Sequence, residues 1–187
     1  CSNSWGSAMA AEVVVVTGST GGIGSAIVER LVGDGLAVVG IDRVLREPAS
    51  GYRHVVCDLA ALATDPSVRA RLEADFARAH AELGAGPTIG LVNNAAEQVV
   101  KPALDLGAEE FRRSFDVNVL APFVLSQLLH ARLAAAGGAI VNVSSVHARL
   151  TKSGFCAYST SKAALSGLSR ALAVEWGREV RIVTLEL

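Results

Sequence analysis

An α/β fold, a doubly wound parallel sheet with helices on both faces, is what this sequence predicts. Three observations lead there. Short apolar runs of strand length recur along the chain, and the first of them is rich in β-branched residues. Helical stretches fall between most of them, the pattern of parallel strands joined by crossovers. Half the residues are apolar and few are aromatic, a composition suited to a sheet buried between helices. The length of 187 residues suits one domain with a real core. A net charge of −1 argues against a polyanion-binding surface. Because the longest apolar runs look strand-sized, no transmembrane helix is expected.

Taken in order, residues 1–10 are small and polar with a lone Trp5, and read as an expression-tag remnant rather than a signal peptide. Residues 11–187 are expected to form a single domain. Residues 12–17 are a β-branched central strand that runs directly into Gly18-Ser19-Thr20-Gly21-Gly22-Ile23-Gly24. A helix is expected over 25–32, with Ile27, Val28 and Leu31 inward. Strand, glycine turn and helix make the first half of a βαβ unit. Its glycines admit a phosphate, and its helix start offers free N–H groups to a pyrophosphate. The plain alternative is a glycine-rich structural turn.

The second strand, 36–41, delivers Asp42 roughly 20 residues after the glycine loop, where an acid accepts bonds from the adenosine ribose hydroxyls. A carboxylate there repels a 2′-phosphate and argues for NAD over NADP. Arg43 pulls the other way, since a guanidinium pairs with that phosphate. A third strand, 53–57, ends in Asp58 and Leu59, with Asp58 placed to reach the adenine or to form a turn. An amphipathic helix follows over 66–83. The fourth strand, 88–92, leads into Asn93-Asn94-Ala95-Ala96, where the side-chain amides brace the loop or line a cofactor cleft.

A long helix is expected over 108–136, with Pro122 kinking it and Asn118 just before the kink, an ordinary polar position or a place to hold water. The fifth strand, 139–143, ends at Ser144-Ser145. Thirteen residues after Ser145 comes Tyr158, opening a helix over 158–176 that is apolar nearly all round and is therefore expected to meet a second subunit. A sixth strand covers 180–185.

Tyr158 and Lys162 are four apart on that last helix and share a face. A free tyrosine is a poor base near neutrality. A cation about 4–5 Å away, at an effective dielectric of about 20, favours the phenolate by roughly 3–4 kcal/mol. A tyrosine so paired gives a proton to a carbonyl oxygen or takes one from an alcohol.

Together these residues resemble the short-chain dehydrogenase/reductase family. The segment from Thr17 to Gly24 is similar to its T-G-x-x-x-G-I-G loop, and Asn93 to Ala96 to its N-N-A-G segment. Asn118, Ser145, Tyr158 and Lys162 match its catalytic tetrad in identity and order. The resemblance implies a Rossmann-type fold and an NAD(P)-dependent exchange of hydride between nicotinamide C4 and a substrate carbon, interconverting alcohol and carbonyl. It makes Tyr158 the general acid/base, with Lys162 favouring the phenolate and holding the nicotinamide ribose. Ser145 would orient the substrate oxygen and Asn118 would anchor a water in a relay with Lys162. Gly18, Ser19, Thr20, Gly22, Ile23, Gly24, Asp42, Arg43, Asp58, Leu59, Asn94 and Ala95 would hold the cofactor with Tyr158 and Lys162. A homodimer or homotetramer through the two long helices is implied as well.

Two departures stand out. Ala96 replaces the usual glycine, and the chain stops at Leu187, so the domain is expected to lack a substrate-covering segment and a last strand. A non-catalytic cofactor-binding scaffold, or a dehydratase or epimerase on the same fold, are the alternatives. The odd cysteines Cys1, Cys57 and Cys156 match no metal or redox spacing, so a reduced, cytoplasmic setting and no metal are expected. Cys156 reads as a packed small hydrophobe. His147, Arg149 and Lys152 read as a solvated loop, and His54, His80 and His130 have no partners in sequence.

Overall fold

The computed structural model describes residues 10–62 and 64–187. All of the expected remnant except Ala10 lies outside the described residues. One sheet contains β1 (Val13–Thr17), β2 (Ala37–Asp42), β3 (Tyr52–Val56), β4 (Thr88–Asn93), β5 (Ala139–Ser144) and β6 (Arg181–Glu186). Each lies within one residue of its sequence expectation. The spatial order is β3-β2-β1-β4-β5-β6, and every pairing is parallel. The winding therefore reverses between β1 and β4. In open α/β sheets that reversal leaves a crevice at the carboxyl ends of the strands.

Alternation along β1 explains the two layers. Val14 and Val16 pack with Val38, Tyr52 and Val28 of α1 (Gly22–Gly33) on one face. Val13 and Val15 pack on the other with Leu72 and Phe76 of the Pro66–Glu82 helix and with Leu125, Leu129 and Leu133 further on. Burying each such side chain contributes roughly 1.5–3 kcal/mol. The short α2 spans Leu59–Leu62, and α3 is the Pro66–Glu82 helix. Its start follows from local chemistry, because Asp65 accepts the Ser67 N–H at 2.8 Å and Pro66 occupies the first turn.

The structure departs from the sequence reading at four helical positions. First, α1 begins at Gly22, so Gly22, Ile23 and Gly24 belong to its first turn rather than to the loop. Second, the long helix is α4 (Ala108–Phe115), a π-helical turn Asp116–Leu120 and α5 (Ala121–Ala135). Pro122 has no N–H for the Asn118 carbonyl and its ring crowds it, and the wider turn accommodates both. Residues 108–135 are long and apolar enough by composition to cross a membrane, contrary to expectation, but Leu125, Leu129 and Leu133 are core residues. Third, α6 (Cys156–Trp176) starts two residues early, and its buried face holds Ser161, Lys162, Ser166 and Ser169 beside Leu165 and Leu172. It is not apolar all round, because Arg170 and Glu175 share the outer side with Ala163, Ala171 and Val174. Fourth, Cys156 is exposed, since the first residue of α6 faces outward.

Candidate active site

The glycine corner is fixed by close backbone approach. Gly18 has φ +64°, and a Cβ there would lie 2.8 Å from Ala95 Cα. A Cβ on Gly24 would overlap the Gly18 carbonyl oxygen. Gly22 meets open space, so no steric demand explains it. The capping residue of α1 is Gly21, with no side-chain acceptor, so the first-turn N–H groups are available to an anion. Asn94 braces the corner, its amide donating to the carbonyls of Thr17 (3.1 Å) and Gly18 (3.2 Å). Thr17 completes the brace, its hydroxyl oxygen accepting from the N–H groups of Asn94 and Ala95 at 3.0 Å each. Sequence reasoning quoted Thr17 only as a motif letter. A hydroxyl at the last residue of the strand was the available signal.

A cleft of about 560 Å³ opens at this corner. Thr20, Gly22, Ile23, Asp42, Arg43, Asp58, Leu59, Asn94 and Ala95 all line it. Ser19 does not. It is fully buried and its hydroxyl points to Tyr52, beneath the loop. Burial pushes the Asp42 carboxyl up, but hydrogen bonds from the Val44 and Thr20 backbone outweigh it and hold the group below the usual carboxylate range. Asp58 takes the turn role suggested for it, accepting the Ala60 N–H at 3.0 Å, and also stands at the cleft.

A second polar cluster lies where the π-helical turn, β5 and α6 meet. Asn118 is fully buried. Its Oδ1 accepts the Glu97 N–H at 2.7 Å, and its Nδ2 donates to the Glu97 carbonyl (3.0 Å) and to Ser161 Oγ (2.8 Å). Ser161 Oγ in turn donates to the Tyr158 carbonyl at 2.8 Å. Glu97 also lines the glycine-corner cleft, so the cluster is continuous with its wall. Asn118 thus ties two elements together with its whole side-chain amide.

Lys162 is 2 % exposed, and its Nζ donates to the Val143 carbonyl at 2.7 Å. Burial pushes its pKa down to about 8. The ammonium lies 5.7 Å from the centre of the Tyr158 ring. The expected direct pairing is therefore modified, because a cation this deep requires an acceptor and the β5 backbone supplies it. Ser145 Oγ donates to the Leu187 carbonyl at 3.3 Å and accepts the His147 N–H at 3.2 Å, with no hydrogen bond to Tyr158 among the described residues. Tyr158 is flanked edge-on by Phe155 (6.1 Å) and by His147 (6.2 Å), which stack on each other, so His147 is no solvated loop residue. None of Asn118, Ser145, Tyr158 and Lys162 lines the glycine-corner cleft itself, and Glu97 joins its wall to Asn118.

Behind α6 runs a polar chain that sequence reasoning missed. Asn93 donates to Asn142 (2.8 Å) and Asn142 to Ser169 (2.8 Å), while Ser144 bonds Ser166 (3.0 Å) and the Lys162 carbonyl (3.1 Å). Serines recurring at 161, 166 and 169 beside a lysine on one helix face were the signal.

Sheet reversal, a glycine corner and a turn of α6 that sets half-buried Tyr158 beside buried Lys162 define a dinucleotide-binding type of α/β protein. The comparisons make this specific. The model of the short chain dehydrogenase family matches residues 12–187, and the chain belongs to the short-chain dehydrogenase/reductase family. It is 35 % identical over 172 residues to carbonyl reductase [NADPH] 2 of Sus scrofa, covering 87 % of this chain and 65 % of that protein. It is 34 % identical over 178 residues to L-xylulose reductase of Homo sapiens, covering 90 % and 67 %. A Brucella ovis oxidoreductase of this family, solved with a partially ordered NAD, superposes with TM-score 0.80 at 30 % identity, over 93 % of this chain and 82 % of that one. The chain spans about two thirds of the length of the curated relatives it matches.

Proposed function

We propose that this chain is an NAD(P)-dependent oxidoreductase interconverting an alcohol and a carbonyl, with Tyr158 as general acid/base. The observation that carries the reading is Lys162, a buried ammonium one helical turn past Tyr158 whose pKa of about 8 lies near working pH. The residues present suit a nicotinamide dinucleotide. The uncapped start of α1 and the Cβ-free space at Gly18 and Gly24 fit a pyrophosphate, and the ionised Asp42 fits ribose hydroxyls.

When bound, the nicotinamide supplies or accepts the hydride. Tyr158 holds or gives the proton at its phenol oxygen. Ser145, just past the end of β5, orients the substrate oxygen. Lys162 provides positive charge beside the phenol, steadied by Val143. Asn118 is a positioning residue that locks the π-helical turn onto Ser161 and Glu97. Tyr158→Phe should lower kcat by about 10²–10⁴-fold with the Kd for NAD nearly unchanged. Turnover at the wild-type rate would remove the acid/base assignment.

NAD is the preferred cofactor in this reading. Its support is Asp42, whose ionised carboxylate repels a 2′-phosphate. Of the relatives described above, the pig reductase is named for NADPH and the Brucella protein holds NAD, so Asp42 is the deciding residue. Titration with both nucleotides tests it, and tighter NADP binding would reverse it. Self-association is proposed through the outer side of α6, where Val174 is 87 % exposed among alanines. Light scattering that gives a monomer would end that idea.

A further inference from the structure

Beneath the glycine loop a buried polar chain crosses from β3 to β1. Ser19 Oγ lies 3.3 Å from Tyr52 Oη, which lies 2.7 Å from His54 Nδ1. Ser19 and Tyr52 are both buried. The chain passes β2 at Gly40, where a Cβ would sit 2.6 Å from Ser19 Oγ and collide with the Tyr52 hydroxyl. A mid-strand glycine is unfavourable by itself, and here it opens the passage between the two hydroxyls. Arg46 grips the same loop from the side. Its guanidinium lies 5.2 Å from the Tyr52 ring centre and donates to the Ser19 carbonyl at 3.4 Å.

The direction of these bonds depends on the imidazole. With the ring proton on Nε2, Nδ1 accepts from the Tyr52 hydroxyl, whose oxygen accepts from Ser19. Nε2 is buried without a partner among the described residues. A proton added at Nδ1 reverses the chain: the imidazolium donates to Tyr52, Tyr52 donates to Ser19, the Ser19 hydroxyl loses its acceptor, and a half-buried cation is created. Burial is the largest influence on His54 and pushes its pKa down, the charge of Asp42 on β2 and the backbone of Asp42 and Val44 oppose this, and Arg46 reinforces it. From α1, Glu29 faces Arg46 at 3.7 Å, and the Arg53–Glu82 pair to α3 lies on the opposite face of β3.

We propose that Tyr52 and His54 are positioning residues for the cofactor, with the neutral imidazole holding Ser19, and through it the glycine loop, in its pyrophosphate-binding shape. The proposal rests on the dinucleotide reading of the cleft. Protonating His54 loosens the loop, so cofactor affinity falls as pH falls. Over that range Asp42 stays ionised, and Lys162, mostly charged at its upper end, only gains charge as pH falls.

Calorimetric titration with NAD between about pH 7.5 and about pH 5 tests it, with melting temperatures recorded for each variant. Wild-type protein should bind several-fold more weakly at the acid end. Tyr52→Phe should bind about tenfold more weakly at neutral pH, and without the pH dependence. In His54→Asn the amide oxygen replaces Nδ1 as acceptor and does not titrate, so affinity should match wild type at neutral pH and stay level in acid. A folded Tyr52→Phe with wild-type affinity overturns the proposal. So does an unaltered pH dependence in His54→Asn, which decides alone if Tyr52→Phe does not fold. Wild-type binding that is level with pH sinks this proposal only, whereas no binding of NAD or NADP sinks the dinucleotide reading itself.

Discussion

The glycine corner between β1 and α1 is shaped by backbone atoms, whereas the region under α6 is shaped by side chains. At the corner, Gly18 and Gly24 stand where a single extra carbon meets Ala95 or the Gly18 carbonyl. Under α6, Asn118, Ser161 and Lys162 are each held by hydrogen bonds to partners distant in sequence, from Glu97 to Val143. The difference is one of tolerance. A steric corner fails abruptly, because backbone cannot move aside, while a hydrogen-bonded cluster loses its bonds one by one and responds to pH.

The sharpest way to break this contrast is at the glycines. Gly24→Ala should cost roughly 3 kcal/mol or more in urea unfolding and abolish NAD binding. Gly22→Ala, facing open space, should change stability by less than about 1 kcal/mol. Equal effects at the two positions would show that the corner is not steric. Next comes Asn118→Ala, which strands the Glu97 N–H and removes three hydrogen bonds. A loss of about 2–3 kcal/mol is expected, with NAD affinity changed far less than in Gly24→Ala.

The smallest effect is expected at Lys162. Its folded pKa of about 8 lies below the ordinary 10.5. Below the lower value both folded and unfolded chains carry the proton, and the burial penalty is constant. Between the two values only the unfolded chain holds it, so native stability rises with pH. Relative to Lys162→Met, wild type should gain about 2 kcal/mol between about pH 7 and about pH 10. A constant gap would mean that the ammonium is solvated.

How much was legible follows the same division. Strand positions came within one residue because β-branched runs such as Val13–Val16 signal strands locally. The placement of Gly18, Gly24, Asp42 and Asn94 at the cleft was legible from spacing, since each sits within a strand–turn–helix unit or at a strand end. The inward direction of the Ser19 side chain was not legible because adjacent loop residues point opposite ways, and only Tyr52 and Gly40, brought in from other strands, reveal which. The π-helical turn was foreshadowed by Pro122, but a proline alone does not distinguish a kink from an inserted residue. The direction of Lys162 was hidden because Val143, 19 residues earlier, becomes its neighbour only when β5 lies under α6.

By itself the sequence determined the sheet, its crossovers and the corner at which a phosphate fits. Those depend on local torsion and on the alternation of apolar residues, both written in consecutive letters. Only the tertiary structure decided that Asn118 spends its amide on Glu97 and Ser161, that Lys162 reaches for a backbone carbonyl, and that Tyr52 and His54 support the loop from below. Those depend on where buried polar atoms find partners, and burial away from water makes every such atom take whichever partner the fold brings within reach.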